Sequence, residues 1–95
     1  MPDRTGSRSA PGEPRPVRLL AFAAVRDVVG ASEAELTLEA ACSAADLWPI
    51  LLARFPALEP HRRSVRLAVN GTYAADHDRV APGDEVALIP PVAGG

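Results

Sequence analysis

The chain has 95 residues, 10 Lys+Arg against 12 Asp+Glu for a formal charge of −2, and a hydrophobic share of 47%, which together allow one small domain with a modest core. All ten basic residues are arginine, spread along the chain without a cluster, so composition gives no nucleic-acid footprint, and no apolar run approaches a membrane span. The one cysteine, Cys42, excludes an internal disulfide and leaves too few ligands for a cysteine-based metal site.

Residues 1 to 16 hold four prolines, two glycines and two serines among charges of both signs, and such a composition cannot bury enough apolar surface to order itself. They are expected to form a disordered leader. The stretch has no apolar core of a signal peptide, which makes a cytoplasmic location the default. A folded domain is then expected over residues 17 to 89, with residues 90 to 95 as a flexible C-terminal tail.

Val17-Arg18-Leu19-Leu20-Ala21-Phe22 is a short apolar run whose density suits a strand covered on both faces or lying inside a sheet. Ala23 to Val29 predicts a helical turn that exposes Arg26 and Asp27 and is closed by Gly30. Ala34-Glu35-Leu36-Thr37-Leu38 alternates polar with apolar residues, as a strand paired with the first one across a wide connection would. Ser43 followed by Asp46 has the spacing of a helix N-cap with an acidic third residue, ahead of Leu47, Ile50, Leu51 and Phe55 at helical intervals. Pro49 falls inside this main helix, removes a donor and crowds the carbonyl of Ala45, so a bend or restart is expected there, and Pro56 marks the end. The helical spacing of Leu51 and Phe55 assigns them to the core rather than to an external patch with Trp48.

Val65 to Val69, Asn70-Gly71, then Thr72-Tyr73 predicts strand, type I′ turn, strand, because Asn-Gly accepts the positive φ angles this turn requires. Ala81-Pro82-Gly83-Asp84 fits a type II turn feeding a last strand, Glu85 to Ile89, which Pro90-Pro91 terminates. Two strands, a helix, a strand pair and a final strand define an α+β chain. The economical way to bury their apolar faces is a mixed sheet of four to five strands over one main helix, the order of the ubiquitin-like β-grasp. Ala68, Ala87 and Ile89 are the candidates for an apolar face turned away from the helix.

The ending Pro90-Pro91-Val92-Ala93-Gly94-Gly95 places a carboxylate behind two residues without side chains, which pass a channel too narrow for a Cβ atom. Six extended residues reach at most about 20 Å, enough to enter the active site of a separate enzyme. A carboxylate is a poor electrophile, so ATP used by a partner must activate it, and no cofactor of the chain's own is called for. A general base, nucleophile or phosphate-binding loop is not apparent. Cys42 beside a helix start reads as a small apolar residue rather than a sulfur donor, and Asp76-His77-Asp78, like His61, as a solvated polar stretch rather than a metal site. Without lysine, the chain could be joined to another protein through Gly95 yet could not build lysine-linked chains of itself.

Phe22-Ala23-Ala24-Val25-Arg26-Asp27-Val28-Val29-Gly30, Val69-Asn70-Gly71, Gly83-Asp84-Glu85-Val86 and the whole tail resemble the molybdopterin synthase small subunits, the MoaD-type sulfur carriers, over residues 17 to 95. The resemblance implies a β-grasp protein that is a non-catalytic sulfur-donor subunit. Its terminal glycine, Gly95, would be adenylated by an adenylyltransferase related to ubiquitin-activating enzymes and converted to a thiocarboxylate with sulfur from a sulfur donor enzyme. The molybdopterin synthase large subunit would hold the active site, take up the tail and pass the sulfur to a pterin precursor, in a heterotetramer of two small and two large subunits. Gly94 would give clearance, Ala93, Val92, Pro91 and Pro90 would guide the tail, and Arg26, Phe22 and Ile89 would belong to the docking surface.

The chain departs from the family pattern in its 16-residue leader, in Pro49, and in Leu88-Ile89 where aromatic residues often precede the prolines. A sulfur carrier for thiamine or cysteine synthesis, a ubiquitin-like protein modifier and a plain binding module remain as alternatives.

Overall fold

The computed structural model describes residues 15–91. β1 (Arg15–Ala21) alternates, burying Val17, Leu19 and Ala21 and leaving Pro16 and Arg18 exposed. The strand thus begins two residues ahead of the expected start at Val17, because Arg15 and Pro16 already pair with Leu38 and Thr37 of β2 (Glu33–Leu38). Pairing on the other side of β1 starts only at Arg18, so Pro16 has one neighbouring strand and its missing N–H is tolerated. Of the two expected placements, the strand takes the one inside the sheet, with one face buried.

α1 (Ala23–Val29) follows directly, with Phe22 extended at its start, Ala23 in the left-handed region (φ 50) and Gly30 (φ 92) donating its N–H to Arg26 O at 2.8 Å as the C-cap. Only Val25 of this helix is buried. β3 (Cys42–Ser43) leads into α2 (Ala44–Arg54). The Asp46 N–H donates to Ser43 Oγ at 3.0 Å, and the N–H groups of Ala44 and Ala45 donate to the carbonyls of Asp78 and Asp76. Capping by side chain and by a neighbouring loop satisfies the donors that a helix start leaves free.

α2 does not restart at Pro49 but runs as one helix from Ala44 to Arg54. Pro49 is exposed, while Leu47, Trp48 and Leu51 are buried, and burial of that stripe outweighs one lost main-chain bond on the solvent side. A 3-10 turn over Pro56–His61 then buries Leu58.

β4 (Arg66–Val69) and β5 (Thr72–Tyr73) are joined by Asn70 (φ 52) and Gly71 (φ 88), the predicted turn. β6 (Arg79–Val80) pairs with β3 as a separate two-stranded ribbon that local sequence did not announce. Asp84 donates its N–H to Ala81 O at 3.0 Å across Gly83 (φ 92), closing the type II turn before β7 (Glu85–Ile89). The five-stranded sheet has the order β2-β1-β7-β4-β5, with β1 and β7 parallel and the other neighbours antiparallel. Its inner face, including Leu19, Leu36, Leu67, Val86 and Leu88, shares one core with Leu47 and Leu51 of α2 and Leu58. No charged or polar residue is fully buried among the described residues.

Candidate functional site

Because β1 and β7 run parallel side by side, both end at the same rim of the sheet. β1 hands over to Phe22 and α1 there, and β7 releases Pro90 and Pro91. Proline has no N–H to continue a ladder, so strand pairing stops and the chain is directed off the sheet. Pro90 is half-buried and Pro91 exposed. Val92, Ala93, Gly94 and Gly95, expected to carry the chemistry, and residues 1–14 of the expected leader lie outside the described residues.

The face of the sheet opposite α2 is organised in rows set by strand register. Nearest the tail, Ile89 pairs with Arg66, and alternation from Leu20 puts Phe22 on the same face. Phe22 is 49% exposed, a large apolar surface beside the point where the tail departs. In the next row Leu20 pairs with Ala87, Ala87 with Ala68, and Ala68 with Tyr73, giving an apolar band across four strands. Tyr73 is 55% exposed, and the Arg66 guanidinium lies 4.6 Å from its ring centroid. Beyond this band Arg18 donates to Glu33 at 2.9 Å and faces Glu85 at 3.6 Å, forming a charged border. The hydrogen bond from Arg18 to Glu33 raises the guanidinium pKa further above its usual range.

Apolar rows rimmed by charge suit a protein interface more than a small-molecule pocket. Of the predicted residues, the fold brings together Phe22, Ile89, Pro90 and Pro91, with Ala68 and Ala87 alongside. Arg26 is exposed one helical turn beyond Phe22, whose carbonyl accepts its N–H at 3.3 Å. Leu20, Arg66 and Tyr73 were missed. Their strand period was visible, but membership of one face depends on which strands become neighbours.

Other candidate groups are used structurally. Burial raises the pKa of the half-buried Cys42 thiol, with Asp46 adding to the effect, so the thiolate is disfavoured. In the Asp76 to Asp78 stretch, the Asp78 carboxylate accepts the Ala75 N–H at 2.8 Å, while the Asp76 and Asp78 carbonyls cap α2. No group of three or more His, Cys, Asp or Glu among the described residues is placed to hold a metal ion. Among these residues no helix is long and apolar enough to cross a membrane.

A mixed sheet over one main helix, with a proline-led segment leaving the end of a central strand beside an apolar face, defines a ubiquitin-like β-grasp protein. The ThiS family model matches residues 19–95, and the chain belongs to the ThiS family. It is 34% identical over 79 residues to the molybdopterin synthase sulfur carrier subunit of Arabidopsis thaliana, covering 83% of this chain and 82% of that protein. With the protein of the same description from Chlamydomonas reinhardtii it shares 36% identity over 81 residues, covering 83% and 98% of the two chains. Among solved structures, small archaeal modifier protein 1 of Haloferax volcanii superposes with a TM-score of 0.69 at 26% identity, over 82% of this chain and 99% of that one.

Proposed function

We propose that this chain is a cytoplasmic sulfur carrier for the synthesis of molybdopterin, acting as the small subunit of a molybdopterin synthase. The observation that carries the reading is the similarity to relatives described as molybdopterin synthase sulfur carrier subunits, with a family match that runs to residue 95 and so includes the Gly94-Gly95 end. An apolar sheet face beside the root of the tail supports it, since a carrier must be held while its terminus is delivered into a partner.

In this reading a partner adenylyltransferase uses ATP to join AMP to the Gly95 carboxylate, releasing pyrophosphate. Sulfur supplied by a sulfur donor enzyme displaces AMP and leaves a thiocarboxylate. The large subunit binds Phe22, Ile89 and their neighbours, draws in Pro90 to Gly95, and holds the pterin precursor that receives the sulfur. Each carrier delivers one sulfur atom, so a product with two sulfurs consumes two charged carriers, in keeping with a heterotetramer. The chain's own residues position the terminus, and all bond-making groups but the terminal carbonyl belong to partners.

The test is the intact mass of the chain after incubation with the adenylyltransferase, ATP and a sulfur source, beside a variant lacking Gly95. Replacement of one oxygen by sulfur in the full-length chain alone, followed by its loss on adding large subunit and precursor, is the expected result. No mass change, with the enzyme active on another carrier, rejects the reading.

The structural likeness to a protein described as a small archaeal modifier favours a second reading, attachment of Gly95 to amines of target proteins. Adducts of higher mass that contain this chain, recovered from cells under denaturing conditions, would support that alternative.

A further inference from the structure

The sheet order β2-β1-β7-β4-β5 leaves two strands with one neighbour each. β5 has only two residues, whereas β2 has six, and the outer side of β2 is the long open border of the sheet. The bonds of β1 show which way the main chain of β2 faces. The Arg18 N–H donates to Asp84 O at 2.9 Å on the β7 side, and the Ala21 N–H donates to Ser32 O at 2.9 Å on the β2 side. Such groups alternate along a strand, so Val17 and Leu19 turn toward β2 and bond their register partners Leu36 and Ala34. Pro16, which has no N–H to give, lies opposite Thr37 in the alternate set. The N–H and C=O groups of Glu33, Glu35 and Thr37 therefore point off the sheet, and no hydrogen bond among the described residues reaches them. They form a row of donor and acceptor pairs spaced about 7 Å apart.

Side chains along this edge divide by face. Glu33, Glu35 and Thr37 are exposed on the outer face, with exposed Glu39 just past the strand, while Leu36 and Leu38 are buried and Ala34 half-buried on the inner face. Glu33 engages the Arg18 guanidinium, whereas Glu35 and Glu39 form no ion pair among the described residues. This pattern decides which strand the edge accepts. A second copy of β2, paired antiparallel about a two-fold axis, sets glutamate directly against glutamate as the register slides: Glu33 with Glu35, Glu35 with itself, Glu33 with Glu39, or Glu35 with Glu39. Like charges directly opposite destabilise a ladder, so the edge rejects its own copy. The same carboxylates attract a strand that carries cations at those positions.

We infer that the open edge of β2 binds an extended segment of a partner protein in which basic and apolar residues alternate. The segment adds as a sixth strand, antiparallel to β2. Its basic residues take the bonded positions along the edge and set their charges beside Glu35 and Glu39. The apolar residues between them fall on the inner face, beside Ala34 and Leu36 at the margin of the core. Unpaired main-chain groups at strand spacing distinguish a chain from a free cation, which could meet the carboxylates alone. Repulsion between glutamates supplies the discrimination against β2 itself. The edge lies outside the Leu20, Ala87, Ala68 and Tyr73 band, and the inference is independent of the sulfur chemistry.

The probe is an octapeptide alternating lysine with valine, capped at both ends and N-methylated on its valines so that it presents one bonding edge. It is titrated into the full-length 15N-labelled chain and followed by NMR. Saturable shifts of the Glu33, Glu35 and Thr37 amides are expected, with little response to the same peptide carrying glutamate for lysine. In an antiparallel pair the residues opposite the glutamates supply the bonding N–H groups, so moving the methyl groups from valine to lysine should abolish binding. Glu35→Lys with Glu39→Lys should weaken binding about tenfold or more and admit the glutamate peptide instead. Glu35→Gln with Glu39→Gln, which adds no cation beside Arg18, should weaken it about threefold while the spectrum stays dispersed. The proposal is overturned if the peptide causes no shift at millimolar concentration, if the lysine-methylated peptide binds equally well, or if charge reversal changes nothing. Concentration-dependent shifts of the same amides without peptide would assign the edge to a second copy of the chain and would equally overturn it.

Discussion

The substitution Ala87→Arg puts a guanidinium into the middle of the outer apolar band, with Leu20 in register on one side and Ala68 on the other. Ala87 is half-buried and its side chain points away from the core, where its neighbours Val86 and Leu88 are fully buried. In the free domain the new side chain extends into water, and the cost to folding should stay within about 1 kcal/mol. In a domain of this size that corresponds to a melting shift of no more than about 4–8 °C. In a complex that covers the band, the same charge loses its water without gaining a partner, at a cost of about 2–5 kcal/mol. At about 1.4 kcal/mol per decade, affinity for the large subunit should fall by a factor between roughly 30 and several thousand. Titration calorimetry with the large subunit, paired with scanning calorimetry of the free variant, separates the two effects. A Kd within about threefold of the parent chain at unchanged Tm would refute docking through this face. A larger loss of Tm would instead show that Ala87 supports the fold.

Ser43→Ala removes the acceptor for the Asp46 N–H and should cost about 1 kcal/mol in chemical denaturation, whereas no loss would show that the Asp76 and Asp78 carbonyls suffice to cap α2. Asn70 has φ 52 and its Oδ1 accepts the Glu85 N–H at 3.0 Å, so Asn70→Gly should lose about 1 kcal/mol through the missing bond. Asn70→Ala should lose about 1 kcal/mol more through left-handed strain, and equal urea midpoints for the two variants would contradict this division. Cys42 should react with iodoacetamide more slowly than a free thiol at pH 8, with its rate midpoint displaced to higher pH, because burial disfavours the thiolate in the folded chain. A midpoint below that of a model thiol would reverse the assignment of Cys42 as unreactive.

The features that sequence determined by itself are those fixed by a few neighbouring residues. Asn70-Gly71 and Gly83 demand backbone conformations that few other residues accept, and each turn forms where those residues stand. Ser43 caps α2 because its hydroxyl meets an N–H three residues on, and Gly30 closes α1 for an equally local reason. The succession of elements, the β-grasp class and the family resemblance of the tail all rest on such short-range signals.

Tertiary structure decided what depends on partners distant in sequence. Arg15 and Pro16 become strand because Leu38 and Thr37 lie opposite them, and α2 runs through Pro49 because Leu47, Trp48 and Leu51 are covered by the sheet. The β3–β6 ribbon exists only because the segment before β6 is tied to the start of α2. Leu20, Ala87, Ala68 and Tyr73 join one surface through register across four strands. Side-chain period specifies which residues alternate, whereas the summed burial of the whole core selects which strands become neighbours and so which residues form a site.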